Sequence, residues 1–276
     1  MPRANTKTKP LKATPKTARK TRSVAVKVRD SEQDSSSLSR MLSTLQLFTR
    51  EHPVLSAEEI AKGAGVPTST AYRYVKQLAT AGLLVRWKGG YTLGPSIMEL
   101  DLQIRECDPV IRAASEPMRT LCAQTGLNAL LTKLYGNKVM TVHIESTSDT
   151  GSLAYGRGRP LPLFRGSSSK AITAFLPAAK LRRLFEDGEA QGDEQLNDWE
   201  SFHASMSNIR RQGFALSVGE LNSGIEGISA PVFIESRQVV GSITLIGDAA
   251  RMALLREEVV IEMVKAAAAT VSSALQ

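Results

Sequence analysis

The chain has 276 residues, 42% of them hydrophobic, which is enough to bury a sizeable core in one or two domains. Two cysteines are too few for a disulfide framework, so reduced thiols and a cytoplasmic location are expected. The sequence has no apolar run long enough for a membrane-spanning helix. Its basic beginning also lacks the apolar segment of a secretory signal.

The positive charge is concentrated in the first hundred residues. Residues 1–37 carry ten basic against three acidic side chains, residues 38–100 seven against four, and residues 101–276 eighteen against twenty. The first part of the chain therefore suits a polyanion, and the larger part suits a different partner. Residues 1–37 have no apolar stripe, so we expect a disordered basic arm, which is compatible with contacts to DNA phosphates.

Three helices are predicted in the first third of the chain. The first, over 38–50, has an apolar face made by Leu38, Met41, Leu42, Leu45 and Phe48. Ser56 and Glu59 form a reciprocal N-cap pattern that opens a second helix over about 57–63, which ends in glycines. A third helix begins at Pro67 and extends to about residue 80.

The third helix has an apolar side, formed by Ala71, Val75 and Leu78, and a basic side rich in hydroxyls. A tight hairpin with a Gly89–Gly90 turn follows. This order is typical of a winged helix-turn-helix, whose third helix enters the DNA major groove; an ordinary solvated surface helix is the alternative. The predicted DNA-binding residues are Thr68, Ser69, Thr70, Tyr72, Arg73, Lys76, Arg86 and Lys88.

The remainder of the chain combines helices with antiparallel hairpins. A linker helix is predicted over 95–106. Further helices are predicted over 109–126, 169–176, 179–187, 199–212 and 250–275. One hairpin turns at Gly136–Asn137 and another occupies residues 228–247. The fold class is therefore α+β with an antiparallel sheet.

Catalytic and metal-binding functions have little support in the sequence. Ser167 and Lys170 satisfy a Ser-x-x-Lys pattern used by some acyl-transfer enzymes, but its companion motifs are absent. The histidines, His52, His143 and His203, lack the spacing of metal ligands, and no phosphate-binding loop occurs. His143 and Glu145 share a strand face and could touch. No metal, cofactor or catalytic residue is predicted.

Two segments resemble the IclR family of bacterial transcription regulators. Residues 37–100, from "SLSRMLSTLQLF" to "SIMEL", resemble the family's DNA-binding domain. Residues 209–247, "IRRQGFALSVGELNSGIEGISAPVFIESRQVVGSITLIG", resemble its effector-domain motif. The two occur in the family's order and spacing, so the resemblance covers most of residues 37–276.

The resemblance implies a winged helix-turn-helix at 38–94, the linker helix, and a GAF-like or profilin-like effector and oligomerisation domain at 107–276. Members bind DNA operators as dimers or tetramers, respond to small organic acids, and include repressors and activators. A ligand-responsive regulator of a catabolic or metabolic operon is therefore expected. The alternative is a metabolite-binding or catalytic module that its N-terminal domain tethers to nucleic acid.

The family's ligand loop corresponds to "PLPLFRGSSSKA", residues 160–171. This chain departs from the family at Phe164, Ser169 and Gly227, where histidine, glycine and cysteine are common. The large side chains of Phe164, Tyr155 and Leu153 favour an aromatic acid over a two- or three-carbon acid. The expected effector-binding residues are Leu153, Phe164, Arg165, Ser167, Ser168, Ser217, Glu220, Gly227, Ser229 and Thr244. Helix capping or packing is the alternative role for each of these residues.

Overall fold

A computed structural model describes residues 36–146, 156–190, 198–235 and 238–276. The chain divides into two compact units, one ending at Glu99 and the other beginning at Leu100. The predicted basic arm, except for its last two residues, lies outside the described residues. The fold is α+β, as the sequence predicted, with a helical first unit and an antiparallel sheet in the second.

The first unit has the predicted order of a winged helix-turn-helix. Its elements are α1 (Ser37–Ser43), a 3-10 turn (Thr44–Leu47), α2 (Ala57–Ala64), α3 (Thr68–Thr80), β1 (Leu84–Trp87) and β2 (Gly90–Leu93). The Ser56 hydroxyl accepts from the Glu59 backbone N–H, and the Glu59 carboxylate accepts from that of Ser56, which confirms the predicted cap of α2. Apolar side chains from all these parts form one core, whose buried members are Leu55, Ile60, Ala61, Ala71, Val75, Leu78 and Leu84.

The first helix is shorter than the predicted 38–50. The Thr44 hydroxyl donates to the carbonyl of Met41 at 2.6 Å, and the chain continues as a 3-10 turn. Such side-chain bonds to the backbone compete with regular helix. Leu38 and Leu42 are 60% and 45% exposed, so their expected burial is wrong, whereas Met41 and Phe48 pack against the core.

The hairpin turn lies one residue earlier than predicted. Lys88 and Gly89 occupy it with positive φ angles of 44° and 82°, and Gly90 pairs with Trp87 in the ladder. Glycine is needed at position 90 because a Cβ there would lie 2.8 Å from the Leu55 carbonyl oxygen. That closeness follows from two backbone hydrogen bonds, of 2.9 and 2.8 Å, between Leu55 and Tyr91.

The second unit begins within α4 (Pro95–Cys107), which runs on from the first. It continues with α5 (Pro109–Thr125), β3 (Asn128–Tyr135), β4 (Lys138–Glu145), β5 (Pro160–Leu161), α6 (Ser167–Thr173), α7 (Ala178–Ala190), α8 (Trp199–Gln212), β6 (Ala215–Val218), β7 (Ile225–Ile234), β8 (Gln238–Asp248), α9 (Ala249–Met252) and α10 (Glu257–Ala274). The antiparallel strand order is β5-β4-β3-β8-β7-β6.

The sheet separates two different cores. On one face, α5 and α10 cover apolar side chains such as Leu131, Ile228 and Leu245. On the other face, α6, α7 and α8 pack on the sheet with a second apolar cluster. Beneath α6 the sheet presents buried hydroxyls instead, namely Thr132, Thr141, Ser229, Ser242 and Thr244. The alternation of a strand sends neighbouring residues to opposite faces.

Three parts of the second unit differ from the prediction. The expected helix over 250–275 is two helices, α9 and α10. Asp248 caps the start of α9, and the extended backbone of Arg256 precedes the start of α10. The short strands β5 and β6 carry no alternation long enough to be recognised. Helix α6 starts at Ser167, two residues before the predicted position.

Gly94→Ala should destabilise the first unit by about 2–4 kcal/mol. A Cβ at this position would lie 2.1 Å from the carbonyl oxygen of Gly82, a backbone atom with no freedom to rotate away. Gly63→Ala is the control, since its Cβ would meet only the flexible methyl groups of Leu47, at 2.9 Å. Urea unfolding followed by circular dichroism measures both; equal stability of the two variants would contradict this account.

Candidate DNA-binding and ligand sites

Helix α3 presents the predicted polar residues away from the core of the first unit. Ala71, Tyr74, Val75 and Leu78 are buried. The predicted contacts Thr68, Ser69, Tyr72, Arg73 and Lys76 are exposed, and Thr70 is half-buried. Pro67 lies just before the helix as its N-cap, and no side chain caps the first turn. The free backbone N–H groups of that turn are suited to phosphate.

The hydroxyl of Tyr72 is engaged by a neighbouring carboxylate. It donates to Glu58 of α2 at 2.8 Å. This hydrogen bond is the main cause that raises the pKa of Tyr72, and it contributes to lowering the pKa of Glu58 after that residue's backbone hydrogen bond. The pair places a negative charge beside the basic face of α3, a feature that sequence periodicity does not indicate.

The hairpin carries the remaining predicted DNA contacts. Arg86 and Lys88 are exposed, and Lys88 occupies the turn itself. The ammonium of Lys88 lies 5.9 Å from the ring centroid of Trp87, which is 54% exposed. The hairpin therefore presents two cations and an exposed aromatic ring at and just before its turn.

A small cavity lies between α6, the sheet and the segment that joins β6 to β7. Its volume is about 20 Å³, room for one water molecule. Six of the predicted effector residues line it, namely Ser167, Ser168, Ser217, Glu220, Gly227 and Thr244. The sequence prediction missed the other lining residues, Leu130, Leu161, Gly166, Leu221, Ile225, Glu226 and Ile246. Leu130 and Ile246 could have been found from strand alternation; Leu161 and Leu221 lie in segments without a periodic signal.

The first turn of α6 is bonded to the sheet through hydroxyls. Ser168 Oγ and Thr244 Oγ1 are 2.8 Å apart, and Ser229 Oγ lies 2.7 Å from the same threonine oxygen. Ser242 Oγ donates to the Ser168 carbonyl at 3.0 Å. The N-cap of α6 is Gly166, with no side-chain cap bond, so the serines do not have the capping role considered as an alternative.

Gly227 leaves the space that Ser167 and Ser217 occupy. A Cβ at Gly227 would lie 2.7 Å from Ser167 Oγ and 3.3 Å from Ser217 Oγ. Ser167 is only 3% exposed, and it lines the cavity. The cavity therefore contains a buried hydroxyl group that can bind a polar ligand atom.

Glu220 closes one side of the cavity. Its Oε2 accepts from the Gly166 backbone N–H at 2.9 Å, and its Oε1 accepts from Lys170 Nζ at 2.5 Å. Arg165 donates through Nη2 to the Glu220 carbonyl oxygen, while its buried Nε has no partner in the described residues. Lys170 thus bonds a carboxylate instead of the Ser167 hydroxyl, so the Ser-x-x-Lys pattern lacks the contact between nucleophile and base that catalysis needs.

Four predicted effector residues do not line the cavity. Phe164 packs edge-to-face on Phe202, with ring centroids 5.1 Å apart, and belongs to the cluster under α7 and α8. Arg165 lies behind Glu220 and Ser229 behind Thr244, each one contact away from the cavity. Leu153 lies outside the described residues.

An ion pair connects the C-terminal half of α4 with the segment that leads to the cavity. Arg157 Nη1 donates to Asp101 Oδ1, and Arg157 Nε donates to the Val142 carbonyl at 2.5 Å. The hydrogen bond from Arg157 is the main cause that holds the pKa of Asp101 below its ordinary value. Four residues beyond Arg157, Leu161 forms part of the cavity wall.

Other polar clusters have structural roles. His143 Nε2 and Glu145 Oε1 are 2.9 Å apart, so the expected contact is present. Among the described residues, no three His, Cys, Asp or Glu side chains are grouped to hold a metal ion. Cys107 and Cys122 are free, and burial raises the pKa of the Cys122 thiol. Within the same residues, no helix combines the length and apolarity needed to cross a membrane.

Two family models match the chain. The model "IclR helix-turn-helix domain" matches residues 37–86, and the model "Bacterial transcriptional regulator IclR C-terminal" matches residues 105–273. The HTH-type transcriptional regulator KipR of Bacillus subtilis is 27% identical over 236 residues, 84% of this chain and 94% of KipR. The Pca regulon regulatory protein of Pseudomonas putida is 23% identical over 212 residues, 76% of this chain and 73% of that protein.

Solved structures of the same type have the same fold. The IclR transcriptional regulator of Alicyclobacillus acidocaldarius superposes with a TM-score of 0.75 at 22% identity, covering 88% of this chain and all of that chain. An IclR homologue from Microbacterium hydrocarbonoxydans, solved in complex with 4-hydroxybenzoate, has a TM-score of 0.71 at 22% identity, covering 87% of this chain and 99% of that chain. Both likenesses extend over the two units described above.

Proposed function

The chain belongs to the IclR family of bacterial transcriptional regulators, and from this premise we propose that it controls a catabolic or metabolic operon in response to a small organic acid. The observation that carries the proposal is the cavity at α6, which brings together Ser167, Ser168, Ser217, Gly227 and Thr244 from separate parts of the chain. Convergent polar groups beside apolar walls are typical of a ligand site.

We propose that α3 and the hairpin contact operator DNA. The outward face of α3 combines short hydroxyls with Arg73 and Lys76, and the side chains opposite are buried in the core. An arginine on such a helix can donate two hydrogen bonds to guanine in the major groove. Arg86 and Lys88 on the hairpin are suited to the phosphates beside it. The pair formed by Tyr72 and Glu58 limits where a phosphate can approach.

The effector in this proposal binds with its polar end at the first turn of α6. Ser167 supplies a buried hydroxyl at the cavity, and Ser168 is held in place by Thr244. The apolar end would lie against the leucine and isoleucine side chains that line the cavity. The 4-hydroxybenzoate complex of the Microbacterium hydrocarbonoxydans homologue supports aromatic acids as the first class to test.

We propose that Arg157 and Asp101 carry the signal from the cavity to α4. Backbone pairing joins the segment 156–161 to β4, through Gly158 to Thr141 and through Leu161 to Val139. A ligand that shifts the cavity wall at Leu161 would therefore shift Arg157 and its partner on α4. Coupling of this kind requires the ligand to favour one arrangement over the other.

A homo-oligomer, dimer or tetramer, is part of the proposal. Four large apolar side chains of α4 are exposed, namely Met98, Leu100, Leu102 and Ile104. No residue of this helix is buried. Apolar surface on a helix of this kind is stabilised when a second copy covers it, and two copies would present two recognition helices to two half-sites.

Arg73→Ala should weaken binding to a DNA sequence selected from a random pool by about ten- to a hundredfold, the worth of one base contact. A gel-shift titration measures the change. Arg211→Ala removes the same charge from an exposed position of α8 and serves as the control. Wild-type affinity of the Arg73 variant would contradict the assignment of α3 as the recognition helix.

Aromatic acids should raise the thermal stability of the full chain in a saturable way, because a ligand that binds only the folded state stabilises it by RT ln(1 + [L]/Kd). Benzoate, 4-hydroxybenzoate, acetate and pyruvate are the ligands for a thermal-shift series, repeated with Ser167→Ala. A cooperative melt that none of these acids shifts would contradict the proposal that an organic acid is the effector.

Asp101→Asn should leave effector binding intact while reducing the effect of the effector on DNA affinity. The reason is that the amide loses the charge that pairs with Arg157. Arg105→Gln is the control, since Arg105 bonds the same carboxylate, at 2.8 Å, but from within α4. Gel shifts with and without effector test the pair; an unchanged response in the Asp101 variant would eliminate this route.

A further inference from the structure

The charges around the cavity do not favour an acid. Among the described residues that line it, none is basic, and two, Glu220 and Glu226, are acidic. Of the nearest cations named above, Lys170 pairs with the Glu220 carboxylate, whereas Arg165 donates to the Glu220 backbone carbonyl and does not line the cavity. An entering carboxylate therefore meets two acidic side chains and no basic side chain among the described residues of the cavity lining.

Glu220 makes the contacts that a ligand carboxylate would need. One oxygen accepts from the backbone N–H of Gly166 and the other from the ammonium of Lys170. The side chains of Lys170 and Glu220 are 17% and 29% exposed, so water screens the pair only in part. The carboxylate of Glu220 thus occupies an anion position at the wall of the cavity.

The cavity is also too small for an acid while the segment 219–224 lies over it. A volume of about 20 Å³ holds one water molecule. Leu221 closes the cavity from the same segment, because a Cβ at Gly166 would lie only 2.6 Å from Leu221 Cδ1. Gly219 and Gly224, with φ angles of 63° and 75°, begin and end this segment. Binding of an acid therefore requires Glu220 and Leu221 to move together.

We propose that Glu220 acts as an internal competitor that lowers the affinity of every acid for the cavity, and that an effector acid binds by displacing its carboxylate from Gly166 and Lys170. This inference rests on the proposed function, in which an organic acid binds at the cavity. Displacement costs the same free energy for every acid, and only an acid with an apolar body regains it from the leucine and isoleucine walls. Glu220 thereby rejects small anions that a bare lysine and N–H group would bind.

Glu220→Gln tests the inference directly. The amide keeps the shape but not the charge, so Lys170 is left for the ligand, and the Kd of benzoate should fall by about tenfold. Acetate should gain affinity by a similar factor. Glu262→Gln is the matched control, because it removes the carboxylate of another Lys–Glu pair, with Lys265 at 2.8 Å, away from the cavity. Titration calorimetry on the full-length proteins gives the constants.

The outcomes separate the inference from the proposed function. If the wild-type protein binds benzoate and the Glu220→Gln protein binds it equally or more weakly, the inference is overturned and the proposed function is not. No binding of either acid to either protein overturns both. Glu220→Asp provides a second test should the amide variant fold poorly, since its shorter side chain cannot hold both Gly166 and Lys170, and tighter binding of benzoate is again expected.

Discussion

The two-residue alternation of β7 is the constraint on which the second unit depends. Ile228 and Ala230 enter the apolar core beneath α5 and α10. Gly227 lines the cavity on the opposite face, and Ser229 on that face bonds Thr244. A shift of one residue in the pairing with β8 would exchange these faces, which would bury a serine among the aliphatic side chains and remove the floor of the cavity. Packing of the core therefore fixes the position of the polar site.

Both candidate sites contain a carboxylate that lowers the positive charge available to a partner. On the first unit Glu58 accepts from Tyr72 beside the basic face of α3. In the second unit Glu220 pairs with Lys170 beside the cavity. A carboxylate close to a cation weakens general attraction for anions while it leaves contacts of the right shape in place. Selectivity in both sites then depends on geometry more than on total charge.

Local sequence rules predicted the elements but not the contacts between distant segments. The cap of α2, the inward face of α3 and the turn at Gly136–Asn137 follow from neighbouring residues, and the structure has all three. The sequence predicts the hairpin turn at Gly89–Gly90, one residue too late. The reason is that the carbonyl of Leu55, which is distant in sequence, requires glycine at position 90 within the strand. The pairing of Glu220 with Lys170 joins residues 50 positions apart, so periodicity carries no information about it. Phe164, an expected effector-binding residue, packs instead on Phe202. That contact also joins segments distant in sequence, so periodicity does not indicate it.

The layer of hydroxyls under α6 has a consequence for proton positions. Ser168 and Ser229 both lie within hydrogen-bond distance of Thr244, and in each pair either oxygen can be the donor. Because Thr244 has a single hydroxyl proton, it can donate to only one of the two serines, and the other serine must then donate to it. The floor of the cavity can therefore present either a lone pair or a proton to the same point in space. A site of this kind can change the polarity of what it recognises without a change of sequence.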